Sequence, residues 1–499
     1  MPRKLPIFYS ALLLTGVNLL LRLVGTSFQV FLSGRIGAAG IGLVQLVMSV
    51  GSLAMIAGIG GIRTATMYLT AEELGKGRTA NIPWVLSACF VYSILFSGTV
   101  AALLYHFAPW IAEYWIGEVQ TFEALRLFAA FLPVTCLCGV LTGYFTAANR
   151  IGTLAAVEVA EQVCSLALTM TALIFWAGND PGKASLSVIL GSSLGAVLTM
   201  LCLMVLRIRE SSPRGSRIPI RSRLLQAALP LALADDLKAG INTLENLMVP
   251  KRLARNTGTA QPLAAFGLVS GMVFPVLMFP SAILFGLTEL LIPELARCNA
   301  AGHRKRILYL IRKGLLVALL YGTAICGLLF LLSDWLCLAL YKNPDAAKYL
   351  RWYALLVPML YCDILTDAMT KGLGQQKICV RYNIVTSILD VVFLYLLLPG
   401  FGMDGYFLSF LVTHLLNFSL SLRRLLKITH QTLPLHIPVF SAASTIFSIW
   451  AASFLPHFLL RGGAYLLLLG SCLFLTQVLD RADIHWIRSL IQKNDLTRR

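Results

Sequence analysis

Charge is scarce in this chain. Asp, Glu, Lys and Arg make up 13% of its 499 residues, against about 25% in a soluble domain. The longest polar stretches, near 208–223 and 293–307, run to about fifteen residues each, which leaves no room for a separate soluble domain. Several chemical signatures are missing as well. There is no GxxxxGK[ST] nucleotide loop, which argues against an ATP-driven cycle within the chain, and HExxH and CxxC are also absent. The eleven cysteines are scattered through apolar segments without zinc-ligand spacing. Cys136 and Cys138 lie two apart on an expected helix and so point in different directions, and the cysteines read as small core residues. The formal charge of +18 would suit a nucleic-acid binder, but the basic residues are divided among many short loops and no RNA-binding signature is present. No nucleic-acid partner is expected.

What the chain has instead is apolar length. Its residues are 58% hydrophobic and its mean hydropathy is +0.77. Fourteen apolar windows predict transmembrane helices at about 9–33, 39–62, 82–106, 124–147, 153–177, 185–206, 222–250, 263–291, 308–332, 350–373, 379–398, 404–422, 434–456 and 463–480. The first window is too long for a signal-peptide core and no small-residue cleavage site follows it, so it reads as a retained helix. An even number of crossings places both termini on one side. Loops on that side hold 28 of the 41 Lys and Arg residues and opposite loops hold nine, an asymmetry that predicts cytoplasmic termini in the cell membrane.

The segment Arg207–Arg223 is basic and contains Pro, Gly and Ser, and it follows the sixth window. Shifting the chain by 225 residues aligns Gly42-Leu43-Val44 with Gly267-Leu268-Val269, and Gly77 with Gly302. A constant shift between halves of six helices implies two parallel pseudo-symmetric lobes, with a substrate site between them near the midplane. The expected organisation is a first lobe over 1–206, a basic linker over 207–223, a second lobe over 224–430, two extra helices over 431–480 and a cytoplasmic tail over 481–499. The fold class is thus all-α integral membrane.

Polar residues inside the windows point to function. Arg22 sits in the first, among Leu19, Leu20, Leu21, Leu23 and Val24. A cation at that depth costs roughly 2.5–3.5 kcal/mol on insertion scales, so it faces protein or a polar interior. It either locks helices through an acid or lines a cavity and binds a phosphate or carboxylate, for which its planar fork is suited. The seventh window, around LALADDLKAGINTLENLMV, carries Asp235, Asp236, Lys238 and Glu245, with Asn242 and Asn246 four apart on one face. No lipid-facing helix tolerates that set. Lys238 is read either as a second cavity cation or as the ion-pair partner of Asp235 or Asp236. Asp363 and Asp367 share one face of the tenth window, Glu158 and Glu161 lie three apart in the fifth, and Asp390 and His414 fall inside the eleventh and twelfth. Buried acids of this kind carry coupling protons or sodium ions, or pair with Lys371, Lys238 or Arg22. Glu289 and Glu294, by the end of the eighth window, read as solvated caps. Lys251, Arg252 and Arg255 cluster on the outer side against the general charge trend. They are either a tolerated exception or a docking patch for an anionic group leaving the cavity.

These features resemble the multidrug/oligosaccharidyl-lipid/polysaccharide exporter superfamily, and within it the polysaccharide-exporter branch that holds stage V sporulation protein B and the lipid II flippases. The resemblance rests on Leu21-Arg22-Leu23-Val24-Gly25, on GRIGAAGIGLVQLVMSVGSLAMIAGIGGI over 34–62, on AEELGKG over 71–77, on ALPLALADDL over 228–237, on VPKRL over 249–253 and on KGLGQQK over 371–377. It implies two six-helix lobes around a central cavity, two extra C-terminal helices, and movement of a polyprenyl-linked saccharide between leaflets by alternating access. Arg22 matches the first-helix arginine implicated in holding the diphosphate. The further cavity arginines of the flippase have no counterpart in the first two helices here, where the positions are apolar or Phe28, and Arg63 falls near the expected membrane edge.

The expected function is therefore the flipping or export of a lipid-linked sugar precursor for envelope, spore-cortex or capsule polymer. Arg22, Lys238 and Arg252 are the candidate substrate-binding residues. Asp235, Asp236, Asp363, Asp367 and Asp390 are the candidate ion-coupling residues. No cofactor is expected beyond a coupling sodium ion or proton, and a monomer in contact with membrane lipids is the expected assembly. A cation-coupled multidrug exporter of the same superfamily is the main competitor, and the sign of the cavity's charge separates the two. A membrane-embedded transferase would need larger loops, and a passive scaffold would not account for ions at the midplane.

Overall fold

A computed structural model describes residues 7–148, 150–178, 180–209, 221–256, 258–431 and 436–479. Among them every regular element is helical. The α-helices are α1 (Ile7–Ile59), α2 (Ile62–Gly75), α3 (Ile82–Trp110), α4 (Phe122–Ala147), α5 (Ile151–Ala172), α6 (Pro181–Arg209), α7 (Arg221–Leu253) and α8 (Pro262–Gly267). They continue with α9 (Phe274–Met278), α10 (Ala282–Ala300), α11 (Arg304–Tyr341), α12 (Asp345–Ala354), α13 (Val357–Gly372), α14 (Gln376–Thr429), α15 (His436–Ser453) and α16 (Phe458–Leu475). Each of the fourteen apolar windows falls on this helical framework. The expected tail over 481–499 and most of the basic linker, 210–220, lie outside the described residues.

Two windows are often joined in one helix. In α1, windows 9–33 and 39–62 run together through a kink at Gly37, whose φ of 66° belongs to the left-handed region that glycine enters without a Cβ penalty. In α14 the eleventh and twelfth windows meet the same way at Gly402, φ 57°, three residues after Pro399. These mergers reduce the number of separate helices. Among the described residues eight helices are long and apolar enough to cross a membrane, or nine if the bent pair Pro262–Met278 and Ala282–Thr288 is one span. Large apolar side chains such as Phe175, Leu467 and Leu475 are exposed on these helices, as lipid contact requires.

The chain forms two compact units. The first comprises Met1–Pro275 and Asn383–Thr413. Here α1 packs against α7 and α8, α3 against α4, and α6 against α4 and α5. The approach of α1 to α8 is close enough to exclude side chains. A Cβ on Gly267 would run into the Ala38 carbonyl oxygen and lie 2.8 Å from the Gly42 nitrogen, and one on Gly42 would lie 2.5 Å from the Leu263 carbonyl oxygen. Small residues bring helix backbones together in this way where lipid supplies no hydrophobic drive.

The second unit comprises Val276–Tyr382 and His414–Arg499. Its helices α10 and α12 both border α13 or α11, and the two C-terminal helices α15 and α16 lie on α11. Tyr465 of α16 donates to the Thr323 carbonyl at 2.5 Å, which fixes that contact within an apolar cluster. All eleven cysteines are free thiols and eight are buried, as core residues would be.

Candidate substrate cavity

The glycine pair Gly60-Gly61 separates α1 from α2, with φ of 49° and 69°. Tyr92 of α3 donates to the Gly60 carbonyl at 3.2 Å and steadies the break. The break turns the start of α2 inward, so that Gly61, Arg63 and Thr64 line a cavity of about 590 Å³ in the first unit. Ile56 and Ile59 of α1 form an apolar side, and Lys238, Asn242 and Glu245 of α7 form the facing wall. Arg63, Lys238 and Asn242 are exposed, so the cavity is open to solvent.

The wall is net positive. Among the described lining residues it presents two cations, Arg63 and Lys238, against one carboxylate, Glu245. The N-terminus of α2 adds to this, because its first backbone N–H groups have no intrahelical acceptor and the helix dipole is positive there. Glu158 of α5 is exposed and within electrostatic reach of Arg63, which gives the guanidinium a carboxylate partner outside the lining. Polar contacts to α1 hold α7 in register: Thr243 donates to the Ser49 carbonyl at 3.1 Å and Asn246 to the Ser49 hydroxyl at 2.9 Å.

Behind the wall, Glu245 meets Asp390 of α14 side chain to side chain. Asp390 is 5% exposed. Its Oδ1 accepts from the Ser409 hydroxyl at 2.5 Å and from the Thr413 hydroxyl at 3.1 Å. The two carboxylates thus share one polar cluster with the Ser409 and Thr413 hydroxyls.

Of the residues expected from the sequence, Lys238 is on the cavity wall and Asp390 is joined to it through Glu245. Arg22 is half-buried on α1, its carbonyl accepting from Thr26 at 2.9 Å, and it is not among the lining residues. Asp236 is half-buried on α7, and the side chain of Asp235 lies outside the described residues. Asp363 and Asp367 are in the second unit. There Asp363 accepts from Asn417 at 3.1 Å, and Asp367 forms an ion pair with Lys371 at 2.6 Å, one of the local pairings the spacing allows. Glu294 pairs with Arg297 and Arg306 at 3.0 and 2.6 Å, a surface role. Arg252 is buried at the end of α7 under Tyr395. The sequence reading passed over Arg63, which the Gly60-Gly61 break brings from the expected membrane edge to the cavity wall. The adjacent glycines were the signal that could have found it.

Long apolar helices around an internal, solvent-open, cation-bearing cavity define a polytopic membrane transporter, with no enzyme chemistry implied. The chain belongs to the MatE family, whose model matches residues 14–171 and 252–396, more than half of its length. Among curated relatives it is similar to stage V sporulation protein B of Bacillus subtilis (strain 168), with 23% identity over 412 residues, 79% of this chain and 78% of the relative. Two solved structures share its fold. The inward closed conformation of the lipid II flippase MurJ superposes with a TM-score of 0.68 at 14% identity, covering 96% of this chain and 99% of that one. An inward-facing multidrug resistance MATE transporter of the MOP superfamily gives 0.67 at 14%, covering 84% and 100%. The protein is a transporter of the MatE family.

Proposed function

We propose that this transporter flips or exports a polyprenyl-diphosphate-linked saccharide across the cell membrane by alternating access. The observation that carries this reading is the cationic wall: among the described lining residues Arg63, Lys238 and the α2 N-terminus face one cavity against one carboxylate, Glu245. A diphosphate needs that sign of charge and a forked donor. The similarity to stage V sporulation protein B supports a substrate used in envelope or spore assembly. In this reading the chain crosses the membrane fourteen times with cytoplasmic termini. Lobes over 1–206 and 224–430 rock about the substrate, and the prenyl tail stays in lipid. Arg22 serves as an accessory cation on the path to the cavity.

The test is a leaflet-accessibility assay of labelled prenyl-diphosphate saccharide in proteoliposomes. Arg22→Ala and Lys238→Ala should each reduce flipping about tenfold while the protein inserts and purifies normally, the loss of roughly one charge-assisted contact of about 1.5 kcal/mol. Flipping at wild-type rate in both would remove the cavity reading. The competing reading, a cation-coupled multidrug exporter, draws on the acids Glu245 and Glu158 beside the wall. It requires uptake of an organic cation such as ethidium in the same vesicles, and no effect of the diphosphate lipid.

The Glu245–Asp390 pair is the proposed coupling element, the site where a proton or sodium ion biases the cycle. Asp390→Asn should leave downhill flipping within about threefold of wild type but abolish its response to an imposed sodium or proton gradient. A variant that responds like wild type would exclude Asp390. Gradient experiments on Asp363→Asn and Asp236→Asn place the remaining acids in or out of the coupling path.

A further inference from the structure

Arg252 is an unusual cation. It is 8% exposed, its Nε is buried with no hydrogen-bond acceptor, and no carboxylate pairs with it among the described residues. Its one marked contact is the Tyr395 ring, whose centroid lies 3.1 Å from the guanidinium carbon. A ring face stabilises a desolvated cation, but by less than burying an ion costs. Residues with positive charge flank it: Lys251 and Arg255 are both exposed.

The surroundings are fixed rather than loose. Lys251 donates to the Tyr114 carbonyl. Asn256, just past the helix, donates to the Pro399 carbonyl at 3.0 Å and accepts from the Gly258 amide at 3.0 Å. Tyr114 belongs to an exposed aromatic group with Trp110 and Trp115, whose rings are in contact. Exposed Trp and Tyr at the end of a spanning helix mark the level of lipid headgroups. Arg252 also continues a polar stripe. Lys238, Glu245 and Arg252 are seven residues apart along one face of α7, and at 1.5 Å per residue Arg252 lies about 10 Å beyond Glu245.

We propose that Arg252, flanked by Lys251 and Arg255, forms a second anion site at headgroup depth that takes the phosphate of a membrane lipid. Two sources share that chemistry: the diphosphate of the transported lipid as it leaves the cavity, an arm that rests on the function proposed above, and a resident anionic phospholipid. Tyr395 holds the guanidinium in place with its Nη groups directed to the ligand, and the flanking charges draw the anion in.

The experiment uses the full chain in phosphatidylcholine nanodiscs, with two probes titrated separately: a short-chain prenyl-diphospho-N-acetylglucosamine and dioleoyl phosphatidylglycerol. Binding is read by native mass spectrometry as stoichiometry and apparent Kd. Arg252→Gln should weaken one bound equivalent at least tenfold. If only the diphosphate probe is affected, the site serves exit; if phosphatidylglycerol is affected, it holds resident lipid. Should Arg252→Gln not fold, Arg252→Lys keeps the charge and loses the fork, and a loss of about fivefold is expected. Binding of both probes within twofold of wild type in whichever variant folds overturns the proposal. Arg63→Ala separates the two hypotheses, since it should remove the cavity equivalent and spare this one.

Discussion

Arg63→Ala is expected to lower prenyl-diphosphate flipping by at least about 100-fold in reconstituted vesicles, the largest effect of any single cavity substitution. The guanidinium can donate two parallel hydrogen bonds to phosphate, each worth roughly 1.5–3 kcal/mol for a charged partner, and a 100-fold loss corresponds to about 2.8 kcal/mol. Arg63 also stands at the first turn of α2, where the helix dipole is positive. Removing it leaves the dipole without its forked donor. Arg63→Lys should recover a minor part of the activity, because a point charge restores attraction but not geometry. Flipping that falls less than threefold in Arg63→Ala, with wild-type expression, would show that the cavity binds its substrate by other means.

The second large effect concerns assembly. Gly267→Ala should destabilise the protein by about 3 kcal/mol or more, or prevent its accumulation, as read by thermal unfolding in detergent. One methyl group is enough, since its carbon would sit against the Ala38 carbonyl and 2.8 Å from the Gly42 nitrogen, and a backbone cannot step aside as a side chain can. Gly34→Ala is the matched control. It places the same methyl on α1 where nothing lies within 4 Å, and should be neutral or stabilising by up to about 1 kcal/mol. Equal melting temperatures for the two variants would mean that the α1–α8 contact is not as close as described.

Gly42 and Gly267 also show how much the sequence disclosed. They were equivalent positions in the weak 225-residue repeat, and in the fold they meet at one helix crossing. The apolar windows located the helices because lipid demands about 20 apolar residues per crossing, a constraint legible residue by residue. The polarity of the seventh window excluded a lipid-facing helix, and of the two readings left open for Lys238 the cavity position is the one it occupies. What stayed hidden were features set by contact across the chain. Glu245 and Asp390 are 145 residues apart, and neither position alone shows that the two carboxylates touch. Arg22 drew attention because it interrupts a leucine run, whereas Arg63 follows a glycine pair at the end of one and looked like a boundary residue. A boundary inferred from hydropathy assumes a straight helix, and Gly60-Gly61 breaks that assumption.

The stripe on α7 has a consequence for biogenesis. On insertion scales each central Asp or Lys costs about 2.5–3.5 kcal/mol, and α7 carries Asp235, Asp236 and Lys238 within four residues, with Glu245 further along. A segment so charged is a poor substrate for the translocon by itself. Packed against α1 and α2 it has a protein surface to shelter these charges, so insertion of α7 is expected to depend on those earlier helices.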